Sequence, residues 1–267
     1  MDLEIAGKVA LVTGGSKGIG RSISLEMADN GCKVIVVARE QKAIDETLEL
    51  IRAKGGTAIG ISADLTVLEN YQHVVDQATR ELGAPDIAIF NLVAPKPGHF
   101  DDLTQADFDY AYHIVVSCFA ALVRAVTPAM KEKRWGRIVT VGSGTAKQPV
   151  RSSAGFSYVL ANTHRIAAVG LTKTLAADLG PYGIALNTIG CGSVETEQFK
   201  DWMQLRATEN GITYEQMVER WCYQRIPLSR LGKPSDLAAL CALLSSNRLF
   251  TSGETILCDG GQVESML

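Results

Sequence analysis

Short apolar segments alternate with longer segments of helical periodicity along the whole chain. Seven of the short segments are rich in Val and Ile and apolar at consecutive positions, and they cover residues 8–13, 33–38, 58–62, 86–90, 137–141, 184–189 and 255–258. Strands that are apolar on both faces and separated by helices are typical of a parallel sheet covered on both sides. The pattern therefore predicts one α/β domain over residues 1–267, with a doubly wound parallel sheet of about seven strands flanked by helices on both faces.

Three longer segments add detail to this picture. The helical patterns near residues 111–130 and 166–179 are apolar around much of their circumference, which predicts burial against a partner subunit as well as against the sheet. Residues 197–225 are instead polar and aromatic. We expect them to form a helical insertion that acts as a lid beside the carboxyl ends of the strands, where ligands of open α/β sheets bind.

Composition narrows the range of partners. The chain of 267 residues has a formal net charge of −3 and no basic run, so neither nucleic acid nor a membrane surface is predicted, and a small molecule is. The first residues lack a signal-peptide pattern and no apolar stretch reaches membrane-spanning length, so we expect a cytoplasmic protein. Six cysteines lie far apart without zinc-site spacing, and no metal site is predicted.

A glycine-rich turn, Thr13-Gly-Gly-Ser-Lys-Gly-Ile-Gly20, lies between the first strand and a helix. Its glycines allow a tight turn and a close approach of the backbone to a pyrophosphate at the helix N-terminus. Its spacing, T-G-x-x-x-G-x-G, resembles that of the short-chain dehydrogenase/reductase family. The resemblance covers essentially the whole chain and includes Ala63-Asp64-Leu65, Asn187, Gly192, Thr196 and Asp259-Gly-Gly261. The resemblance implies a Rossmann-type, nicotinamide-dependent oxidoreductase that assembles as a homotetramer.

The end of the second strand predicts the form of the cofactor. Arg39 stands where an acid would bind the ribose hydroxyls of NAD and an arginine meets the 2′-phosphate of NADP, with Lys17 as a second cation. Both could instead be solvated surface charges, and the adjacent Glu40 reduces the local positive charge. Asp64 could be a turn former. The turn and the resemblance together assign NADP binding to Gly14, Ser16, Lys17, Gly18, Ile19, Gly20, Arg39, Asp64, Leu65, Asn91, Val93, Arg165, Val194 and Thr196.

The catalytic half departs from the family. The resemblance implies a serine that polarises a carbonyl, a tyrosine that supplies the proton, a lysine that lowers the pKa of the tyrosine, and an asparagine that holds a relay water. Ser143 matches the serine, whereas the asparagine position falls on Val115. The small residues after the fourth strand are replaced by bulk at Leu92 and Val93, which predicts a reshaped pocket.

The expected Tyr-x-x-x-Lys is absent. Counting back from the segment that begins at Gly170 places the lysine position on Arg165 and the tyrosine position on Ala161, while Tyr158 and Asn162 precede Arg165 at helical spacing. On a helix these three side chains share one face. This stretch most resembles a 3-ketoacyl-ACP reductase-like subgroup with an atypical catalytic tetrad, although tyrosine with a basic residue seven positions later resembles the spacing of enoyl-ACP reductases.

The sequence therefore predicts an NADP(H)-dependent oxidoreductase that interconverts a carbonyl compound and an alcohol. Ser143 would donate to the carbonyl oxygen, and Tyr158 would be the acid, its pKa lowered by Arg165. Lys147, His164 or water are alternative proton sources. Two other functions stay open at this point: reduction of an activated carbon-carbon double bond, and a non-catalytic NADP-binding role.

Overall fold

Seven parallel strands form one sheet in the order β3-β2-β1-β4-β5-β6-β7, in a computed structural model that describes residues 2–91, 93–150 and 157–266. The strands are β1 (Val9–Thr13), β2 (Lys33–Ala38), β3 (Ala58–Ser62), β4 (Ile87–Phe90), β5 (Gly136–Val141), β6 (Ile184–Cys191) and β7 (Thr255–Cys258). The helices are α1 (Gly18–Asp29), α2 (Gln41–Ala53), α3 (Asn70–Glu81), α4 (Gln105–Tyr112), α5 (Cys118–Lys133), α6 (Val159–Leu179), α7 (Glu197–Asn210), α8 (Tyr214–Arg225) and α9 (Pro234–Leu244). The predicted fold class is confirmed.

Both faces of the sheet are buried, which explains why the strands are apolar at consecutive positions. In β1, Ala10 and Val12 belong to one core cluster, together with residues of α1, α2 and α9. Val9 and Leu11 belong to a second cluster on the opposite face, with residues of α3 and α5. Since successive side chains of a strand point to opposite faces, a strand that has helices on both sides needs apolar residues at every position.

The chain reverses its direction of travel across the sheet between β1 and β4. From β1 it adds β2 and β3 on one side, then returns to place β4 on the other side of β1. In open α/β sheets the crevice at such a reversal, beside the carboxyl ends of the strands, is the place where ligands bind. The glycine turn follows β1 and Asn91 follows β4, so both lie at this crevice.

Helices α4 and α5 form one helical run, joined by a π-helical segment, His113–Ser117. Contrary to the sequence expectation, this run from Gln105 to Lys133 is long and apolar enough, by length and composition, to cross a membrane. However, 61% of its most apolar 18-residue window is buried inside the protein. Leu122, Val123 and Val126 pack in the core beside β4 and β5. The core of this chain therefore covers most of the apolar surface of this run, which is one of the two segments that had suggested a partner subunit.

Residues 197–225 contain α7 and α8, two helices that lie between β6 and α9 in the sequence. Thr196 caps α7 by accepting a hydrogen bond from the Phe199 amide at 3.2 Å, and Gly211 ends it with φ of +65°. The two helices share a small core around Met203, Ala207 and Met217. Closure of this pair over the site, as a lid, stays a prediction.

Candidate cofactor and active site

The glycine turn is braced by the residue that follows β4. The Asn91 amide donates to the Thr13 hydroxyl at 2.8 Å, and the hydroxyl in turn lies 3.1 Å from the Asn91 carbonyl oxygen. The side-chain amide of Asn91 donates to the Gly14 carbonyl at 3.4 Å. The ends of β1 and β4 are therefore joined at the crevice, and contact of Asn91 with the cofactor stays a prediction.

Two glycines of the turn leave no room for a side chain. Gly14 has a φ of +58°, and a Cβ added to it would lie 2.6 Å from the Asn91 carbonyl oxygen. A Cβ added to Gly20 would lie 1.9 Å from the Gly14 carbonyl oxygen. The helix α1 begins here, and among the described residues no side chain caps its first turn. Its first backbone N–H groups are thus available to an anion, which fits the pyrophosphate of a dinucleotide.

The carboxyl end of β6 comes close to the same turn. A Cβ added to Gly18 would lie 3.7 Å from the Thr196 methyl group, and buried Val194 pairs with Gly232 in an isolated bridge. Ser16 and Leu65 are buried, and Ile19 packs on the core. Val93 is about half exposed, and Leu92 lies outside the described residues. The structure thus brings Gly18 and Thr196 together, although they are far apart in the sequence.

The two cations near the end of β2, Lys17 and Arg39, have different partners. Lys17 forms an ion pair with Glu40, so the prediction of Lys17 as a second phosphate cation is weakened. Arg39 is exposed, and it takes part in none of the ion pairs of the described chain. Its guanidinium is the cation available to a phosphate at this position.

Asp64 acts as a turn former in the loop after β3. Its Oδ1 accepts hydrogen bonds from the Thr66 amide at 2.9 Å and the Thr66 hydroxyl at 2.8 Å. These bonds, and more weakly the charge of Arg39, hold the pKa of the Asp64 carboxyl below its usual range. The alternative reading of Asp64 as a turn residue is therefore confirmed, and its contact with the adenine stays a prediction.

Ser143 lies directly after β5 and opens a short 3-10 turn, Gly144–Ala146. Its Oγ accepts a hydrogen bond from the Thr145 amide at 3.2 Å. This bond uses a lone pair and leaves the hydroxyl hydrogen for a further acceptor. Ser143 therefore lies at the carboxyl ends of the strands, and its role as a donor to a substrate oxygen stays a prediction.

Arg165 reaches the same edge of the sheet from α6. Its Nη1 donates to the Val141 carbonyl at 3.3 Å, two residues before Ser143. Burial lowers the pKa of the Arg165 guanidinium, which nevertheless stays charged because arginine loses its proton only at very high pH. Beside it, burial raises the pKa of the Cys191 thiol to about 12, against the opposing effect of Arg165. Arg165 thus places a fixed positive charge at the ends of β5 and β6.

Tyr158 does not share this environment, which corrects the sequence prediction. It precedes α6, where it pairs with Gly98 in an isolated bridge. Burial raises the pKa of its phenol, and the cations that oppose this effect are Arg225 and Arg206, not Arg165. Seven residues of helix rise about 10.5 Å along the axis. Tyr158 itself precedes the helix with non-helical backbone angles, and the predicted lowering of the tyrosine pKa by Arg165 is wrong.

Asn162, which lies between Tyr158 and Arg165 in the sequence, binds the loop that follows Ser143. The Oδ1 of Asn162 accepts from the Val150 amide at 3.3 Å, and its Nδ2 donates to the Val150 carbonyl at 3.2 Å. The carbonyl of Ala161 lies 3.5 Å from the Thr145 hydroxyl. The loop after Ser143 is thereby attached to the first turns of α6. This link depends on the path of the loop, and no sequence spacing indicates it.

The alternative proton donors occupy different surroundings. His164 is buried, its Nδ1 lies 2.8 Å from the Leu160 carbonyl, and its ring packs on Phe108 of α4 at 6.1 Å. This position favours a core histidine over a proton donor. Lys147 is partly buried in the loop after Ser143. Val115, at the position of the missing asparagine, is buried in the π-helical segment.

Comparisons with known proteins identify the relationship. The family model "short chain dehydrogenase" matches residues 8–206. The human dehydrogenase/reductase SDR family member 4 is 31% identical over 260 residues, 96% of this chain and 88% of that protein. The 7α-hydroxysteroid dehydrogenase of Escherichia coli strain K12 is 30% identical over 266 residues, 99% of this chain and 98% of that protein.

Solved structures agree with this result. The L-sorbose reductase of Gluconobacter frateurii, complexed with NADPH and L-sorbose, matches with a TM-score of 0.93 at 25% identity, and the match covers 100% of both chains. A 7α-hydroxysteroid dehydrogenase complexed with NADH and 7-oxo glycochenodeoxycholic acid matches with a TM-score of 0.85 at 29% identity, over 100% of this chain and 98% of that one. The predicted family is confirmed: the chain belongs to the short-chain dehydrogenase/reductase family of oxidoreductases.

Proposed function

We propose that this protein is an NADP(H)-dependent reductase of a carbonyl compound, with a 3-ketoacyl reductase-like active site. The exposed guanidinium of Arg39, unmatched by any ion pair of the described chain, carries the choice of NADP. The family members named above include one complexed with NADPH and one with NADH, so the residue at the end of β2 has to decide. An arginine there favours a 2′-phosphate over two free hydroxyls.

The bound cofactor would supply a hydride to the carbonyl carbon. The glycine turn and the N-terminus of α1 would hold its pyrophosphate, Arg39 its 2′-phosphate, and the residues around Asn91 and Thr196 its nicotinamide half. Arg165 would bind the ribose hydroxyls and stabilise negative charge beside Ser143, but it cannot release a proton near neutral pH. Its task is thus electrostatic.

In this proposal Ser143 donates a hydrogen bond to the carbonyl oxygen, and Tyr158 is the acid that protonates it. Burial raises the pKa of Tyr158, so its phenol keeps the proton that a general acid needs in the reduction direction.

Reduction of an activated carbon-carbon double bond is the second candidate. The spacing of seven residues between Tyr158 and Arg165 favours it, since it resembles that of enoyl-ACP reductases. Products obtained from a matched ketone and enone separate the two reactions: an allylic alcohol from the enone supports carbonyl reduction, whereas a saturated ketone supports the second candidate.

We further propose a homotetramer in the cytoplasm. The support for assembly comes from apolar side chains that this chain leaves uncovered, including Ile166 on α6 (51% exposed) and Tyr112 at the end of α4 (53% exposed). Burying such side chains between subunits stabilises an assembly by about 25 cal/mol for each Å² of apolar surface removed from water.

The choice of cofactor is tested with Arg39→Asp. Removing the cation and adding a negative charge should weaken NADPH binding about 10- to 100-fold and leave NADH much less affected, since a charge-assisted hydrogen bond contributes about 1.5 to 3 kcal/mol. Arg80→Asp is the matched control, an exposed arginine in the last turn of α3, and should change neither dissociation constant. Equal losses for NADPH and NADH in Arg39→Asp would refute the phosphate contact.

A further inference from the structure

The two helices α7 and α8 carry the same short pattern, Trp-x-x-x-Arg. It occurs as Trp202 with Arg206 and as Trp221 with Arg225. Residues four apart on a helix are neighbours, and each guanidinium lies over the ring of its own tryptophan, at 5.6 Å for Arg206 and 4.3 Å for Arg225. The tryptophan rings meet edge to face with centroids 5.0 Å apart. The four side chains therefore form one cluster, which we call the Trp-Arg cluster.

The Trp-Arg cluster is tied to the carboxyl ends of the strands. The Trp221 Nε1 donates to the Ser193 hydroxyl at 3.0 Å, and Ser193 follows β6. The Ser193 amide donates to the side chain of Gln262 at 2.6 Å, and that side chain donates back to the Ser193 hydroxyl at 3.0 Å. The cluster is thus held beside the crevice where the substrate of an open α/β sheet binds.

The charge of the cluster faces the start of α6. Both of its guanidiniums act on the Tyr158 phenol, and Tyr158 is the acid of the proposed reaction. The positive charge of Arg225, and that of Arg206 as shared with Glu209, therefore acts at the phenol, where the reacting end of a substrate would lie. Neutral and anionic substrates experience this potential differently.

The two arginines are suited to different tasks. Arg206 has a side chain that is only 13% exposed, and it pairs with Glu209 at 2.8 Å, so it contributes charge and packing from below the surface. Arg225 lies in the last turn of α8 and is partly exposed. Stacking on Trp221 restrains its planar guanidinium, and a restrained guanidinium binds a carboxylate through two parallel hydrogen bonds at little cost in conformational entropy.

We propose that the Trp-Arg cluster is the substrate-recognition site of this enzyme, and that it selects carbonyl compounds carrying a carboxylate. Arg225 binds the carboxylate, Arg206 supports it through the local potential, and the faces and edges of the two tryptophans pack on the carbon skeleton. This inference rests on the proposed function for the position of the reacting carbonyl.

A pair of aldehydes of equal size tests the selection. We compare 4-carboxybenzaldehyde with methyl 4-formylbenzoate, using NADPH, and measure kcat/KM for each. The wild type should prefer the acid, and Arg225→Gln should lower the acid-to-ester ratio of kcat/KM about 10- to 100-fold, the range expected for one charge-assisted pair. Arg220→Gln is the matched control, an exposed arginine on the same helix, and should keep the wild-type ratio.

A binding measurement separates this inference from the proposed reaction. Calorimetry follows the titration of 4-(hydroxymethyl)benzoate, and of its methyl ester, into the protein with NADPH present. Tighter binding of the acid than of the ester, lost in Arg225→Gln but kept in Arg220→Gln, supports the recognition site. If that result is found and neither aldehyde is reduced, the proposed function alone fails. Two results overturn the recognition site without contradicting the proposed reductase function. One is reduction of both aldehydes with an acid-to-ester ratio of kcat/KM that Arg225→Gln does not change. The other is equal binding of acid and ester to the wild type.

Discussion

Substituting Gly20 by alanine tests whether the glycine turn works as a cradle for the cofactor. The added Cβ would lie 1.9 Å from the Gly14 carbonyl oxygen and 2.8 Å from the Asn91 side-chain nitrogen. Side-chain Cβ atoms do not come closer than 3.0 Å to such neighbours. The Gly14 carbonyl and the backbone of Gly20 must therefore separate by about 1 Å. Because the nearest obstacle is backbone, no rotamer change can relieve the contact.

The expected cost follows from this displacement. Moving binding groups by about 1 Å lowers the efficiency of a site about 100-fold, and losing one or two hydrogen bonds to a phosphate costs about 1.5 to 3 kcal/mol each. We therefore expect the dissociation constant for NADPH to rise at least 100-fold in Gly20→Ala. Titration of NADPH followed by its fluorescence gives this constant, and thermal unfolding reports the loss of stability separately.

A second glycine provides the control. Gly180 begins a 3-10 turn with a φ of −53°, and a Cβ added to it would meet nothing within 4 Å. Gly180→Ala should leave NADPH binding unchanged. It should not stabilise the fold, because Pro181 disfavours a helical backbone at a preceding residue that has a Cβ. If Gly20→Ala binds NADPH as tightly as Gly180→Ala does, the turn does not hold the pyrophosphate and the assignment of the cofactor site is wrong.

Three further predictions concern catalysis and assembly. Tyr158→Phe should lower kcat about 10²- to 10⁴-fold with little change in NADPH affinity. Because burial raises the pKa of Tyr158, the wild-type reduction rate should fall only at a pH above that at which a free tyrosine loses its proton. A fall at lower pH that vanishes in Tyr158→Phe would contradict the assignment. Arg165→Lys should retain activity, whereas Arg165→Ala should lose both rate and NADPH affinity. Steady-state kinetics and titration of NADPH measure the two quantities. Wild-type values in Arg165→Ala would show that Arg165 is not part of the site. Sedimentation at micromolar concentration should show a tetramer, and a monomer would refute the proposed assembly.

The amino-acid sequence by itself determined the fold and the position of the glycine turn. The strands at 33–38, 58–62 and 255–258 were predicted with the bounds that the structure has, because strands buried on both faces need an unbroken apolar run. The glycine turn could also be predicted, since its requirements lie within eight consecutive residues. Such features depend on neighbours in the sequence, and a local pattern therefore contains them.

Only the tertiary structure decided how the catalytic half is arranged. The helical spacing placed Tyr158 and Arg165 on one face of α6, but it left out the axial rise that separates them and the partners that each one meets. Tyr158 is influenced by Arg206 and Arg225, which lie about 50 and 70 residues further along the chain. Asn162 is occupied by Val150, because the loop after Ser143 folds back on the helix. Packing between distant segments sets the charge and hydrogen bonding of each side chain, and no spacing within a single helix carries that information.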